Sequence, residues 1–353
     1  MKAFRILIIS TIIYAITSLQ WERVLFPSLF YGMKEEESWS QRQVAVFFPI
    51  HNYKKESMNV TEIEDTLTYE MLLALQAKDE ERLSEDLEEQ LEQTEPVIQA
   101  TVSLEQLSNF QYLLSTYYTV DSTTTIGPEQ LNAAEMLAKN MTLQNKAEGP
   151  KILIFHTHSQ EAFVDSVAGD PSTSIVGMGK YLAERLNSLG ISTLHHDGIY
   201  DYVNGKLDRS KAYELSEIGV KEILNQYPSI EVVIDLHRDG VKETTHLVTE
   251  VDGKQVAKIM YFNGLSRTKA NGDISYLYNP YIQDNLAFSF QMQLATEARY
   301  PGLARRIYLK GYRYSLHMMP KSLLIEAGAQ TNTVAEMKNA MDLLANVLAD
   351  VLL

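Results

Sequence analysis

The stretch KILIFHTHSQEAF, residues 151–163, is an apolar run that ends in two histidines and a glutamate. Its first part, Ile152 to Phe155, predicts a short buried strand, because branched aliphatic and aromatic side chains follow one another without a polar break. His156, His158 and Glu161 come directly after it. Imidazole and carboxylate groups crowded at a strand end are typical of metal ligands or of an acid–base group, and a hydrogen-bonded loop can carry the same residues.

Strand and helix patterns alternate from this stretch to the C-terminus. The predicted strands cover residues 151–155, 191–196, 231–237, 245–251, 258–264 and 322–328. The predicted helices cover residues 174–190, 207–228, 280–302 and 333–353. Alternation of this kind favours an α/β fold with a mixed, mostly parallel sheet and helices on both faces.

Two more of the apolar strands end in chemically active residues. The run VVIDLH ends at His237, and the run SLLIE ends at Glu326. Because ligands bind at the carboxyl ends of the strands in open α/β sheets, we expect these side chains to meet His158 and Glu161 at one edge. Two imidazoles and one carboxylate form a catalytic zinc set, which predicts His158, Glu161 and His237 as ligands of Zn²⁺. A further carboxylate must then move the proton from water to the leaving amine, and Glu326 is the candidate.

Several neighbouring residues have alternative roles. His156 either replaces His158 as a ligand or supports a ligand from behind, and we prefer His158 because it lies further from the apolar run. Asp235 shares a strand face with His237 and either orients that imidazole or bonds to the backbone. Arg238 either holds a substrate carboxylate or an oxyanion as part of the catalytic set, or forms a plain salt bridge. A serine hydrolase is disfavoured, since the chain has no Gly-x-Ser-x-Gly elbow.

The N-terminus has the pattern of an export signal. Lys2 and Arg5 are followed by the uncharged run 6–21. No convincing small-residue cleavage site follows, so an uncleaved signal anchor is favoured over a cleaved signal peptide, with the rest of the chain outside the cytoplasm. The whole chain then divides into a signal anchor or transmembrane segment (1–23), a stalk with an acidic helical spacer (24–96), a bridging helical segment (97–150) and a zinc hydrolase domain (151–353).

Composition excludes several classes of function. The net charge is −15 and the chain has no marked basic patch, which argues against a nucleic-acid partner. It contains no cysteine, so it has neither a disulfide framework nor a thiol nucleophile nor a thiolate zinc site.

The motifs resemble a known family. ILIFHTHSQEAF, VVIDLHRDG, LLIEAGAQTNT and the upstream segment FQYLLSTYYTVDSTTTI together resemble stage II sporulation protein P, a cell-wall hydrolase family of engulfment in endospore-forming bacteria. The resemblance covers roughly residues 100–353 and, more loosely, the N-terminal anchor. It is specific because three separated motifs occur in order.

The resemblance implies a peptidoglycan hydrolase that is similar to zinc-dependent N-acetylmuramoyl-L-alanine amidases, with a phosphorylase/hydrolase-like sheet. The expected reaction is cleavage, by zinc-activated water, of the amide between N-acetylmuramic acid and L-alanine, with endopeptidase activity on cross-bridges also credited to the family. By motif, His158 matches the first amidase ligand, His237 the second and Glu326 the catalytic glutamate. The implied partner is stage II sporulation protein D, in a membrane complex whose catalytic domains face the space between mother cell and forespore.

One departure from the amidase pattern keeps the ligand set open. Ordinary amidases take a carboxylate ligand from the start of the first helix of the fold, where this chain has no carboxylate in residues 174–177. Glu161 is the nearest substitute, and His156 is the other. Two alternatives to an amidase also remain: a zinc carboxypeptidase acting on cell-wall peptides, and a non-catalytic module that binds the wall or assembles a complex through residues 61–95.

Overall fold

A computed structural model describes residues 103–353 of the chain. The predicted anchor (1–23), the stalk and acidic spacer (24–96) and the first residues of the bridging segment lie outside the described residues. Between Ser103 and Leu353, no helix combines the length and the apolar character that crossing a membrane requires. The described residues all fall within one compact unit, and the predicted boundary at residue 150 stays a prediction.

The centre of the structure is a seven-stranded sheet. Its strands in chain order are β1 (Tyr118–Val120), β2 (Ile152–Phe155), β3 (Thr193–His195), β6 (Val232–Asp239), β9 (Ile259–Gly264), β12 (Ile307–Lys310) and β13 (Lys321–Ala329). Their spatial order is β1-β12-β9-β13-β6-β2-β3. Every neighbouring pair is parallel except β9 and β13, which are antiparallel. This arrangement confirms the predicted mixed, mostly parallel sheet.

Helices and small hairpins surround the sheet. The α-helices are α1 (Leu104–Leu107), α2 (Phe110–Tyr117), α3 (Ala133–Ala138), α4 (Ile175–Ser188), α5 (Ala212–Gln226), α6 (Ile282–Arg299) and α7 (Val334–Leu352). The hairpins pair β4 (Tyr202–Val203) with β5 (Lys206–Leu207), β7 (Val248–Val251) with β8 (Lys254–Ala257), and β10 (Arg267–Thr268) with β11 (Gly272–Asp273). Single 3₁₀ turns lie at Pro171–Thr173 and Ser275–Leu277.

Alternation along β2 shows how the sheet is covered on both faces. Ile152 and Ile154 belong to the large core that α4, α6 and α7 form on one face. Leu153 and Phe155 belong to a second core with Val220 of α5 on the other face. All four β2 side chains are fully buried, and burying such a side chain stabilises a fold by about 1.5–3 kcal/mol. A strand that is buried on both faces needs apolar side chains at every position, as β2 has. The prediction of helices on both faces of the sheet is confirmed.

The bridging segment differs from its prediction. The pattern at 104–118 predicts one amphipathic helix, but the chain forms α1 and α2 and then enters strand β1 at Tyr118. Asn109 interrupts the helix because its side chain accepts a hydrogen bond from the Tyr112 N–H and caps α2. β1 then pairs with β12 and forms one edge of the sheet, a pairing that the sequence pattern does not reveal.

Candidate active site

Three parallel strands bring the predicted site residues to one edge of the sheet. β2, β6 and β13 are adjacent and run in the same direction, so their carboxyl ends coincide. Phe155 is paired with Asp235, and Glu326 is paired with His237. Asp235 and His237 therefore lie on the sheet face that α5 covers, and the loop after β2 carries His158 and Glu161 over the same edge.

His237 is held by a buried carboxylate. Its Nε2 lies 2.8 Å from Asp235 Oδ1. Asp235 is fixed in turn by Thr157, whose N–H donates to Oδ1 at 2.9 Å and whose hydroxyl donates to Oδ2 at 2.6 Å. A carboxylate that orients an imidazole in this way leaves the other ring nitrogen available for a ligand, and His237 Nδ1 faces Glu161.

Glu161 is a buried carboxylate beside His237. Its Oε2 lies 3.9 Å from His237 Nδ1 and accepts a hydrogen bond of 2.9 Å from the Arg238 backbone N–H. Its Oε1 lies 3.5 Å from a terminal nitrogen of Arg209. Burial raises the pKa of the Glu161 carboxyl, but the neighbouring His237 outweighs burial and lowers the pKa well below its usual value. Burial lowers the pKa of His237, and the carboxylates of Asp235 and Glu161 outweigh it and raise the pKa well above its usual value.

His158 lies against the same imidazole. Its ring centroid is 5.2 Å from that of His237, at an interplanar angle of 86°. The ring of Tyr213, at the start of α5, packs edge-on against His158 at 5.6 Å. His158 is 1% exposed. The structure thus brings together the three predicted ligands, His158, Glu161 and His237.

Glu326 completes the group at the strand ends. It is the direct neighbour of His237 across the β6–β13 pair, and neighbouring strands lie about 4.8 Å apart. Its side chain is 8% exposed, so it lies at the edge of the buried cluster. A carboxylate in this position can exchange protons with a group bound beside His237.

His156 lies apart from this cluster. β2 ends at Phe155, and the His156 side chain turns to the face that α4 covers. Its Nδ1 donates to the Leu236 carbonyl at 2.7 Å, and its Nε2 lies 3.0 Å from His195 Nε2. Burial, assisted by His195, lowers the pKa of His156 to about 3. The structure therefore separates His156 from His158. His156 contacts the backbone carbonyl of Leu236, the residue that precedes His237.

The Arg238 side chain donates hydrogen bonds to two backbone carbonyls. Its Nε donates to the Ala162 carbonyl at 3.0 Å and one terminal nitrogen donates to the Asp239 carbonyl at 3.1 Å. These bonds hold the loop after β2 against the end of β6. Its predicted contact with a substrate stays a prediction.

The donor set fits a zinc ion by its chemistry, and one donor pair, His237 and Glu161, also fits by its spacing. Within residues 103–353, no three His, Asp or Glu side chains already surround a common point as a metal site requires. Two ligands of a tetrahedral zinc ion lie about 3.4 Å apart, given bonds of about 2.0–2.1 Å. His237 Nδ1 and Glu161 Oε2, at 3.9 Å, are only slightly farther apart, and the Asp235 contact is the support that metal-ligating histidines usually have. His158, Glu161 and His237 are the residues that would hold the ion.

Sequence reasoning missed four residues that shape the site. Thr157 orients Asp235, Tyr213 packs on His158, and Arg209 contacts Glu161. Asp201 accepts hydrogen bonds from the Ser159 hydroxyl at 2.7 Å and the Gln160 N–H at 3.1 Å. Only Thr157 had a signal in the sequence, its position between the two histidines. Asp201 and Arg209 lie in a loop whose path no periodicity encodes, and Tyr213 lies in the first turn of α5 directly after it.

Comparison with known proteins identifies a curated relative of this chain. A curated relative, Stage II sporulation protein P of Bacillus subtilis (strain 168), is 23% identical over 237 residues, which is 63% of this chain and 56% of that protein. The match therefore spans little more than half the length of the relative.

Solved structures that match part of the chain include two amidases. The CwlD amidase from Clostridioides difficile in complex with the GerS lipoprotein has 16% identity and a TM-score of 0.34, over 57% of this chain and 99% of that one. The N-acetylmuramoyl-L-alanine amidase AmiC2 of Nostoc punctiforme has 17% identity and a TM-score of 0.33, over 58% and 98%. The family model for Stage II sporulation protein P matches residues 34–349, which is most of the chain. The chain belongs to the Stage II sporulation protein P family.

Proposed function

We propose that this chain is a zinc-dependent peptidoglycan hydrolase of sporulation that cleaves the amide between N-acetylmuramic acid and L-alanine. The observation that carries the proposal is the convergence of His158, Glu161 and His237, with Glu326 beside His237 on the next strand. Membership of the family and the amidase relatives named above support the same reaction. The implied setting, a membrane complex with stage II sporulation protein D facing the intermembrane space, is part of this proposal.

The buried residues position the ligand set before substrate arrives. Asp235 holds the His237 ring through Nε2, and Tyr213 packs against the His158 ring. A zinc ion bound there would supply a Lewis acid that polarises the amide carbonyl and makes water more acidic. Fixing both rings in advance lowers the cost of ordering them when substrate binds.

Glu326 is the residue that we assign to proton transfer. It lies next to His237 on the neighbouring strand and keeps a small exposed fraction, so its carboxylate can take a proton from water and give it to the leaving L-alanine amine. Its neighbour Met260 on β9 is apolar and buried, and therefore does not compete for the proton.

The test uses the full-length protein purified in detergent, its zinc content and its digestion products. The His237→Ala variant should lose zinc and activity, whereas Glu326→Gln should keep zinc and lose activity. The matched control is His246→Ala, because His246 pairs with Glu336 outside the site. Mass spectrometry of the products separates the reactions: free stem peptides indicate an amidase, shortened stems a carboxypeptidase, and opened cross-bridges an endopeptidase. Full turnover in His237→Ala would exclude the mechanism.

A further inference from the structure

Arg209 lies on a fixed piece of backbone between the β4–β5 hairpin and α5. The Asp208 carboxylate accepts hydrogen bonds from the Ser210 N–H at 3.0 Å and the Ser210 hydroxyl at 2.6 Å. The Ala212 N–H donates to the Arg209 carbonyl at 3.2 Å. Both neighbours of Arg209 are thus held in place, and its side chain starts from a defined position.

The same segment is attached to the loop that carries the predicted ligands. Asp201, which is fully buried, accepts hydrogen bonds from Ser159 and Gln160, the two residues that follow His158. The Asp208 N–H donates to the Asp201 carbonyl at 2.9 Å and closes the base of the hairpin. The segment that flanks the hairpin is therefore attached to the loop that carries the predicted ligands, and Arg209 follows directly after this attachment.

The guanidinium of Arg209 retains donors that the protein does not use. One terminal nitrogen lies 3.5 Å from Glu161 Oε1, which is at the long limit for a hydrogen bond. None of the described residues accepts a hydrogen bond from its Nε. The side chain is 25% exposed, so it is neither free in solvent nor enclosed.

Other arginines at this edge are engaged more fully. Arg238 donates from Nε and from a terminal nitrogen to two backbone carbonyls. Arg305 is buried, with a terminal nitrogen 2.6 Å from Asp239. Arg209 is the better placed of the three to meet a ligand at the surface of the site.

We propose that Arg209 is a specificity-determining residue that binds a carboxylate of the stem peptide, two residues beyond the scissile amide. This inference rests on the proposed function. Only the Glu161 carboxylate separates the guanidinium from His237, so the two lie within roughly 10 Å of each other. Two extended residues span about 7 Å, so a free carboxylate on the second residue of the stem can reach the guanidinium when the scissile amide lies beside His237. The planar fork of arginine suits bidentate recognition of a carboxylate.

The test compares two muropeptides that differ at one group. Their second stem residue is either γ-linked D-glutamate, with a free α-carboxylate, or γ-linked D-isoglutamine, with a carboxamide. The full-length wild-type protein should prefer the carboxylate in kcat/KM by roughly tenfold or more, the size expected for a charge-assisted hydrogen bond. Arg209→Gln should reduce this preference to less than twofold, mainly through KM for the carboxylate substrate. Arg209→Lys should retain an intermediate preference, because it keeps the charge and loses the fork.

Two control variants and one binding measurement separate the explanations. Arg185→Gln removes an arginine from an exposed ion pair with Asp342 on α4 and α7, and it should keep the wild-type preference. Zinc affinity of Arg209→Gln should equal that of wild type, which a role confined to supporting Glu161 would not produce because this variant removes the charge beside Glu161. An unchanged preference in Arg209→Gln, or a preference lost in Arg238→Gln instead, overturns the assignment to Arg209. Absence of turnover of both muropeptides by wild type overturns the proposed function itself.

Discussion

Replacing Asp235 by asparagine tests whether the Asp235 carboxylate holds the His237 ring in place. The wild-type carboxylate accepts two hydrogen bonds from Thr157 and pairs with His237 at 2.8 Å. Asparagine preserves the shape of the side chain and the oxygen that faces the Thr157 N–H. It removes the charge that pairs with His237 and turns one acceptor into a donor that faces the Thr157 hydroxyl.

The expected size of the effect follows from burial. Asp235 and His237 are 1% and 2% exposed, and breaking a buried ion pair on one side costs about 3–5 kcal/mol. For a unit of this size, 1 kcal/mol changes the melting temperature by about 2–4 °C, so the metal-free variant should melt roughly 10 °C lower. Loss of a carboxylate behind a metal-ligating histidine typically weakens metal affinity by about 10–100-fold.

The assay is thermal unfolding of the metal-free protein followed by circular dichroism, combined with a zinc titration against a competing chelator. The matched control is Asp342→Asn, because Asp342 pairs with Arg185 at 33% and 41% side-chain exposure. An exposed pair of this kind contributes about 0–1 kcal/mol, so the control should melt close to wild type. If Asp235→Asn melts with wild type and binds zinc equally well, Asp235 does not hold His237 and the reasoning fails.

Three further predictions concern packing and charge. Gly179→Ala should destabilise the protein by about 1–3 kcal/mol in thermal unfolding, because a Cβ would overlap the Nε2 of His156; a gain of about 1 kcal/mol, as helix propensity alone predicts, would contradict this packing. Asp239→Asn should lower the free energy of unfolding in urea by about 3–5 kcal/mol, because it leaves the buried guanidinium of Arg305 without its charged partner. A decrease below about 1 kcal/mol would show that the pair is not isolated from solvent. Burial raises the pKa of Glu217, but hydrogen-bonded and charged neighbours outweigh it and lower the pKa from 4.5 to about 2. The stabilisation that the Glu217 carboxylate provides should therefore be complete above pH 4.5 and be lost as the pH falls towards 2. Glu217→Gln should make the free energy of unfolding less dependent on pH in that window. The same pH dependence in the variant as in wild type would contradict this prediction.

Much of the fold could be predicted because burial on two faces leaves a continuous apolar signature. The strands at 152–155 and 232–239 and the helix at 175–188 agree with their predictions within a few residues. β12 was missed because its four residues end in a lysine and carry no periodicity. β1 was missed because its three residues follow α2 directly and pair only with the distant β12.

Part of the candidate site could be predicted for a similar reason. Parallel strands must end at one edge, so the proximity of the β2 end, His237 and Glu326 follows from the sheet alone. Arg209 and Tyr213 had no such constraint. Arg209 lies in the segment between β3 and α5, and Tyr213 lies in the first turn of α5. The position of both depends on contacts such as the Asp201 hydrogen bonds rather than on a local pattern.

The amino-acid sequence alone determined the layered α/β architecture and the edge of the sheet where the chemistry lies, because hydrophobic periodicity and strand direction are local properties. Only the tertiary structure showed which of His156 and His158 lies beside His237. β2 stops at Phe155, and the chain then turns, so His156 packs under α4 at Gly179 while His158 reaches His237 across the sheet. The point at which a strand gives way to a loop depends on contacts from distant segments, here the Thr157–Asp235 hydrogen bonds, and no local pattern contains them.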